Sequence, residues 1–256
     1  MPLLGVDVAA ATYEATIDRL LRAVADRKPM RVHFCTVHTL VEATSDERLR
    51  SLLNTAELVA PDGMPLVWVG RLRGYGIERS CGPDVMRELF DRGRASGIRH
   101  FLYGGAPGVA ERLARRLTAD YPGAQVVGTY SPPFRQLTDE EDADVVRMLE
   151  ASGADCIWVG LGSPRQEYWL AAHRDKLTAP LLLAVGAAFD FHSGTKRRAP
   201  RIMQRTGTEW LFRLASEPRR LLGRYVRTNT LFLWLLALDG ASSLRRRLAA
   251  RSGGGG

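Results

Sequence analysis

The 256-residue sequence lacks the features that mark several protein classes. Its longest apolar run, Leu231 to Leu238, has eight residues, whereas a helix needs about 20 to cross a bilayer. Met1 to Ala10 contain no basic region followed by an apolar stretch, so no secretory signal is expected there. The three cysteines are widely spaced and form no Cys-x-x-Cys pair. These absences predict a cytoplasmic protein with neither a membrane-spanning helix nor a disulfide framework.

Metal and cofactor signatures are scarce as well. The five histidines show no ligand spacing with the cysteines, so we predict no metal site. Asp142-Ala143-Asp144 matches the metal-binding Asp-x-Asp pattern, but these residues open a predicted helix whose dipole favours acidic side chains. The absence of a Gly-x-Gly-x-x-Gly fingerprint disfavours a nucleotide-dependent oxidoreductase. The sequence therefore predicts no metal and no cofactor.

Positive charge is abundant, but it is concentrated at one end. Residues 196–256 carry 14 lysines and arginines against three acidic residues, a net charge of +11, so the remaining residues carry −3 of the total of +8. Tryptophan and leucine are interspersed with the arginines, which predicts docking on an anionic membrane surface. The alternative is a nucleotide-binding protein without transferase activity that binds a membrane surface or nucleic acid. Against a nucleic-acid partner, Trp210, Leu221 and Phe232 are too apolar for a solvated basic arm. We predict no nucleic-acid partner.

Short apolar runs alternate with amphipathic stretches up to Gly194. This alternation predicts an α/β fold with a Rossmann-like parallel sheet and helices on both faces. The predicted strands are Arg31 to Thr36, Glu57 to Ala60, Ile98 to Tyr103, Gln125 to Thr129, Asp155 to Gly160 and Leu181 to Gly186. We divide the chain into a catalytic α/β core (1–195), a basic amphipathic helical appendage that docks on the membrane (196–252) and a flexible glycine tail (253–256).

The predicted appendage contains two helices that meet at Glu217-Pro218, because proline disfavours helical geometry before it and fits a first helical turn. The second helix is predicted to extend to about Leu238. Leu221, Leu222, Tyr225 and Val226 are predicted to share its apolar face, and Arg220, Arg224 and Arg227 another face. The sequence does not distinguish a monomer from a homo-oligomer.

Unusual residues follow the predicted strands, where ligands bind in parallel sheets. Gly104 and Gly105 open a loop that either holds a phosphate through backbone amides or is glycine-rich for steric reasons. In Gly160 to Glu167, Ser163 and Gln166 fit a helix capping box, while Arg165 beside Gln166 also offers hydrogen-bond donors for a diphosphate or a base edge. Gln166 and Glu167 are the substrate-binding candidates of this loop. The local pattern leaves both interpretations open.

Three more polar residues follow the first two predicted strands. Asp62 lies in a Pro-Asp-Gly turn; it is either structural or, if it projects into a cleft, a general base. Thr36 and His38 leave the first strand and would line the same rim, although His38 could equally be an uncommitted loop residue. The carboxyl edge of the sheet is therefore the predicted site.

From Thr36 to about Arg227, the sequence resembles the WecG/TagA/CpsF bacterial glycosyltransferases, with eight short segments that match in the same order. The matching segments are Ala60 to Val67, Glu78 to Asp84, Leu102 to Gly105, Gly160 to Glu167, Val185 to Asp190, Arg198 to Pro200, Glu209 to Leu214 and Glu217 to Arg220. The resemblance implies an inverting, metal-independent transferase at the cytoplasmic membrane face. It implies a UDP-sugar donor, typically UDP-N-acetylmannosamine, and a polyprenyl-diphosphate-linked sugar acceptor.

The resemblance also implies roles for individual residues. Asp62 would be the general base on the acceptor hydroxyl, and Thr36, Arg79, Gln166 and Asp190 would line the substrate pocket. Appendage arginines would contact the diphosphate. The candidates for this role are Arg213, Arg220, Arg224 and Arg227. The sequence departs from the family's Thr-Pro-Asn pattern at Thr36-Val37-His38-Thr39, so another UDP-hexose, such as UDP-glucose or a UDP-uronic acid, stays open as the donor.

Overall fold

The computed structural model describes the backbone of residues 1–252 and the side chains of residues 1–239 other than Arg205, Arg220 and Arg224. The predicted glycine tail (253–256) and the predicted roles of the Arg220 and Arg224 side chains therefore lie outside the described residues.

The chain alternates strands and helices and then continues as helices alone. The strands are β1 (Pro2–Leu3), β2 (Val6–Asp7), β3 (Met30–Cys35), β4 (Leu58–Pro61), β5 (Arg99–Gly104), β6 (Gln125–Tyr130), β7 (Cys156–Gly160) and β8 (Leu181–Ala184). The helices of the core are α1 (Tyr13–Ala25), α2 (Val37–Ser45), α3 (Glu47–Asn54), α4 (Met64–Leu72), α5 (Gly82–Gly93), α6 (Val109–Asp120), α7 (Asp139–Ser152), α8 (Arg165–His173) and α9 (Ala188–His192). Residues 196–252, here called the C-terminal segment, contain α10 (Arg201–Arg205), α11 (Glu209–Ser216) and α12 (Pro218–Ser252).

Six strands form one parallel sheet in the order β4-β3-β8-β7-β5-β6, and β1 and β2 form a separate antiparallel pair. The side chains of a strand alternate between the two faces. Val32 and Leu183 therefore pack with α1, α5 and α6 on one face, whereas Ile157 and Leu182 pack with α7 and α8 on the other. Both faces of the sheet are covered, which confirms the predicted fold class.

All six predicted strands are present within two residues of their predicted ends. The structure adds the β1–β2 pair, which was not predicted. It also shows that Asp142 lies in the first turn of α7, where Thr138 and Glu141 form a capping box. The acidic Asp-x-Asp run is thus a helix start, as predicted.

The local prediction for α8 was wrong. This helix begins at Arg165 with Pro164 at the N-cap position and has no side-chain cap. Gln166 instead accepts a hydrogen bond from the Gly162 N–H and donates one to the Ala184 carbonyl oxygen. A tertiary contact with β8 has replaced the local capping box.

The predictions for α12 were right about its start and wrong about its end and its faces. It begins at Pro218 but continues to Ser252. Leu221 is fully buried, whereas Leu222 and Val226 are more than half exposed. These residues therefore do not share one packed face. No helix among residues 1–252 combines the length and the apolar character that crossing a membrane requires.

Candidate active site

The β4 exit places Asp62 at the carboxyl edge of the sheet. The Asp62 N–H donates to the Cys35 carbonyl oxygen at 2.8 Å, which continues the ladder between β3 and β4 by one residue. The Ser80 N–H donates to the Pro61 carbonyl oxygen at 2.9 Å. This second bond brings the 78–81 loop beside the end of β4. As a result, Arg79 lies next to Asp62.

Arg79 stands between a carboxylate of the core and one of the C-terminal segment. Its Nη2 atom lies 3.6 Å from Asp62 Oδ1 and 2.8 Å from Glu209 Oε2. Its Nη1 atom donates to the carbonyl oxygen of Gln204 at 3.3 Å. The guanidinium is therefore hydrogen-bonded to the C-terminal segment and only within ion-pair distance of Asp62.

A second arginine extends this arrangement. The Arg198 guanidinium contacts both carboxylate oxygens of Asp84, at 2.5 and 3.0 Å, and its Nε lies 3.6 Å from Glu209 Oε1. The Cys81 thiol donates to Asp84 at 2.8 Å. Burial opposes the charge of Asp84, but the hydrogen bond from Arg198 holds the pKa of Asp84 below its usual value. We call Asp62, Arg79, Asp84, Arg198 and Glu209 the Asp62 cluster.

The environment of Asp62 disfavours its ionised form. Its side chain is 19% exposed, and burial raises the pKa of Asp62 to about 7, with the Arg79 charge opposing this rise and the Glu209 carboxylate reinforcing it. The cluster contains three carboxyl groups and two guanidiniums, so it is neutral when Asp62 holds a proton. Such a group exchanges a proton near neutral pH, which is the property a general base or acid needs.

Gln166 and Glu167 form a second group at the exits of β7 and β8. The Gln166 amide contacts Glu167 at 3.4 Å as well as the backbone bonds already described. Glu167 is 2% exposed, and burial raises its pKa to about 7. Gly186, two residues after β8, leaves room for Gln166, because a Cβ there would lie 3.2 Å from the Gln166 Oε1 atom.

Thr36 and His38 begin α2 at the β3 exit. The Thr36 hydroxyl accepts the Thr39 N–H and thereby caps α2, so this side chain has a structural role there. His38 Nε2 lies 3.3 Å from Glu42. His38 and Arg227, with neighbouring residues of α2 and α12, line a cavity of about 460 Å³. The structure thus brings one predicted appendage arginine beside the predicted rim.

The other predicted site residues lie further along the edge. Gly104 has φ +129°, and a Cβ there would lie 2.6 Å from the Gly160 backbone. This glycine is therefore required by the close approach of β5 and β7. Gly105 follows it at φ +77°. Asp190 pairs with Lys196 at 3.3 Å, and Arg213 lies over the Phe191 ring.

Comparison with known proteins identifies the family of the chain. The model of the glycosyl transferase WecG/TagA/CpsF family matches residues 1–246. The chain belongs to this family. It is also 31% identical over 180 residues, 70% of this chain and 68% of the relative, to the N-acetylglucosaminyldiphosphoundecaprenol N-acetyl-beta-D-mannosaminyltransferase of Bacillus spizizenii strain W23. The family and the enzyme class, a glycosyltransferase, are as the sequence predicted.

This WecG/TagA/CpsF protein contains cluster residues that the sequence did not single out. Glu209, Arg198 and Asp84 each lie inside a matching motif, but nothing in the sequence indicated that they meet beside Asp62. The signal in the sequence was their charge, since two carboxyls and an arginine inside motifs of one glycosyltransferase family are candidates for one site. Of the predicted residues, Asp62 with Arg79, His38 with Arg227, and Gln166 with Glu167 are brought together.

Proposed function

We propose that this protein transfers a sugar from a UDP-sugar to a polyprenyl-diphosphate-linked sugar in cell-surface polysaccharide biosynthesis. The donor is UDP-N-acetylmannosamine or a related UDP-hexose, and the transfer is inverting and metal-independent. The relative in Bacillus spizizenii carries a name that specifies a mannosaminyl donor group and an N-acetylglucosaminyl-diphosphoundecaprenol acceptor. The observation that carries the proposal is the half-buried Asp62, whose pKa is raised to about 7 at the carboxyl edge of the sheet.

In the proposed reaction, the Asp62 carboxylate accepts the proton of the acceptor hydroxyl. The hydroxyl oxygen forms a bond to the anomeric carbon from the face opposite UDP, and the bond between this carbon and the UDP oxygen breaks. UDP leaves with the bonding electron pair. Because the attack comes from the opposite face, the configuration at the anomeric carbon is inverted. One base and a stabilised leaving group are sufficient for this step.

Arginine side chains would stabilise the departing diphosphate, because a planar guanidinium can hydrogen-bond two phosphate oxygens at once. Arg213 and Arg227 are the predicted arginines whose side chains are described, and Arg227 lines the cavity beside His38. Arg220 and Arg224 keep the same proposed role from the sequence. Arginines that do not reach the diphosphate would bind anionic lipid at the cytoplasmic face of the membrane, where we place the protein as a peripheral enzyme.

The sheet order constrains how substrates would lie. Asp62 follows β4 and Gly104 ends β5, four positions apart in the sheet; at a spacing of about 4.8 Å this corresponds to roughly 19 Å. One hydroxyl cannot contact both. We propose that Thr36, His38, Gln166, Glu167 and Asp190 lie between them along an extended nucleotide sugar, with Gly104 and Gly105 at the end remote from the acceptor.

The test is UDP release by the purified protein with a lipid-diphosphate-N-acetylglucosamine acceptor and a panel of UDP-sugars in EDTA. We expect turnover with one donor, and a loss of about a hundredfold or more in Asp62→Asn, as for removal of a general base. Asp144→Asn, on the exposed side of α7, is the matched control and should retain full turnover. Transfer that survives Asp62→Asn, or that stops in EDTA and returns with a divalent metal, would contradict the mechanism.

A further inference from the structure

One guanidinium nitrogen is shared by two carboxylates from distant parts of the chain. Arg79 Nη2 is 2.8 Å from Glu209 and 3.6 Å from Asp62. Charge-assisted N–H···O bonds have lengths of about 2.7–2.9 Å, so only Glu209 makes a full hydrogen bond. The Gln204 carbonyl oxygen accepts a hydrogen bond from the other terminal nitrogen, Arg79 Nη1. Both of these hydrogen bonds of Arg79 thus go to the C-terminal segment, and neither goes to Asp62.

We propose that Glu209 is a positioning residue for Asp62: by hydrogen-bonding Arg79, it holds this cation off the Asp62 carboxylate. This inference rests on the function proposed above, in which Asp62 accepts the acceptor's proton. A carboxylate bound by a guanidinium through two hydrogen bonds is a weaker base and has fewer free lone pairs. Glu209 therefore keeps Asp62 both basic and accessible to the acceptor hydroxyl.

The charged and titratable groups that face Asp62 come from four parts of the chain. They are Cys35 of β3, Arg79 and Cys81 of the 78–81 loop, Asp84 of α5, and Arg198 and Glu209 of the C-terminal segment. Arg198 is already engaged by both oxygens of Asp84. Of the two guanidiniums in the cluster, Arg79 is therefore the one placed to move onto Asp62 when Glu209 loses its charge.

Glu209 is the first residue of α11, and α11 is followed directly by α12, whose exposed face carries apolar side chains. The contact between Glu209 and Arg79 exists only when the C-terminal segment is seated on the core. Through Glu209, the seating of this segment is therefore coupled to the basicity of Asp62. A displaced segment would release Arg79 to pair with Asp62 and weaken the base.

The test uses the full-length chain and Glu209→Gln, which keeps the shape of the side chain and removes its charge. We expect the acidic limb of the pH profile of kcat/KM to move to lower pH by about one unit, because a close opposite charge lowers a carboxyl pKa. The rate above the limb should fall severalfold, mainly in kcat, because the base is weaker. A carboxyl ¹³C NMR titration of Asp62 should show the same downward pKa shift without any substrate.

A double-mutant cycle separates positioning from the direct effect of the Glu209 charge. In an Arg79→Gln background, Glu209→Gln should shift the Asp62 pKa much less than in the unmodified protein, because no guanidinium remains to move. Glu209→Asp, which can still bind Arg79, should restore most of the original pH profile. Asp239→Asn is the matched control: it breaks another ion pair between the C-terminal segment and the core, with Arg73 at 2.6 Å, and should leave the Asp62 pKa unchanged.

The inference is overturned if Glu209→Gln leaves the Asp62 pKa unchanged or raises it, or if the shift is equal in both backgrounds of the cycle. A shift of the same size in Asp239→Asn would also overturn it, since any loosening of the segment would then suffice. The proposed function fails by a different result, namely an unmodified protein that transfers no sugar. In that case the NMR titration still decides whether Glu209 controls the Asp62 carboxyl.

Discussion

The sheet core and the C-terminal segment are held in place by different forces. In the core, apolar side chains of the strands are enclosed by helices on both faces, and Trp158 at its centre has no exposed surface. Among residues 196–239, whose side chains are described with three exceptions, the C-terminal segment buries few large side chains, and Leu221 and Phe232 are two of them. Ion pairs to the core supplement this packing through Glu209, Arg198, Lys196 and Asp239.

The C-terminal segment also exposes a series of large apolar side chains. On α12, Leu222, Val226, Leu233, Trp234 and Leu238 are each at least half exposed. Large apolar side chains that stay exposed along one helix indicate a surface that contacts something apolar. Apolar packing thus specifies the core, whereas the C-terminal segment combines packing with ion pairs around Asp62 and presents exposed apolar side chains.

A pair of tryptophans gives the largest expected difference between the two regions. Trp158 is buried and its Nε1 donates to His100 Nδ1 at 3.2 Å, so Trp158→Ala should lower the free energy of unfolding by about 3–5 kcal/mol. Trp234 is 57% exposed, and Trp234→Ala should change the free energy of unfolding by no more than about 0.5 kcal/mol. Denaturant unfolding measures both. Similar losses in the two variants would show that α12 is packed as tightly as the sheet.

The Asp62 cluster, where the two regions meet, gives a pH-dependent effect of intermediate size. The folded-state pKa of Asp62, about 7, lies above the value of about 3.9 for an unfolded chain. Between these values the folded state binds more protons, so stability falls as the pH rises from about 4 to 7 and the loss persists above it. Asp62→Asn removes this loss.

We therefore expect Asp62→Asn to stabilise the protein at pH 8 by a few kcal/mol, at most about 4 kcal/mol, relative to the unmodified chain, and to have little effect at pH 4. Thermal unfolding at the two pH values measures the difference. Asp144→Asn, whose side chain is 66% exposed, should stay within about 0.5 kcal/mol at both. A variant that is destabilised equally at both pH values would mean that Asp62 contributes contacts rather than a buried charge.

The same contrast explains how far the sequence could predict this structure. The core strands are apolar runs between turn signals, and their exits are fixed by the parallel arrangement, so Asp62 and Gln166 could be placed at one edge from the sequence alone. The N-terminus of α8 could not be predicted in this way. The Gln166 side chain hydrogen-bonds the Gly162 N–H and the Ala184 carbonyl oxygen, so it does not form the local capping box.

The C-terminal segment was harder to predict for a physical reason. Leucines and tryptophan are distributed around much of α12, so the helical pattern does not indicate which side packs against the core. The prediction therefore grouped the buried Leu221 with the exposed Leu222 and Val226. The meeting of Glu209 with Arg79 depends on how α11 docks, and the two residues are 130 positions apart. Such long-range ion pairs have no local signature in the sequence.

The smallest expected effect concerns the outward face of α12, which we propose contacts the anionic membrane. Leu222 and Trp234 are 54% and 57% exposed, and transferring such a side chain from water to the lipid interface contributes roughly 1.5 kcal/mol, about tenfold in affinity. Leu222→Ser and Trp234→Ser should each weaken binding to vesicles with anionic lipid by about this factor in a sedimentation assay, without changing the free energy of unfolding.

Phe134 provides the matched control for this comparison. It is 78% exposed, but it precedes α7 in the α/β part of the chain and lies outside the C-terminal segment. Phe134→Ser should leave vesicle binding unchanged if the membrane contacts the C-terminal segment specifically. Raising the salt concentration should weaken the contribution of the arginines but not that of the apolar face, since screening acts on exposed charges. Binding that depends on Phe134 as strongly as on Trp234, or that disappears entirely in salt, would mean that the exposed leucines of α12 have another partner.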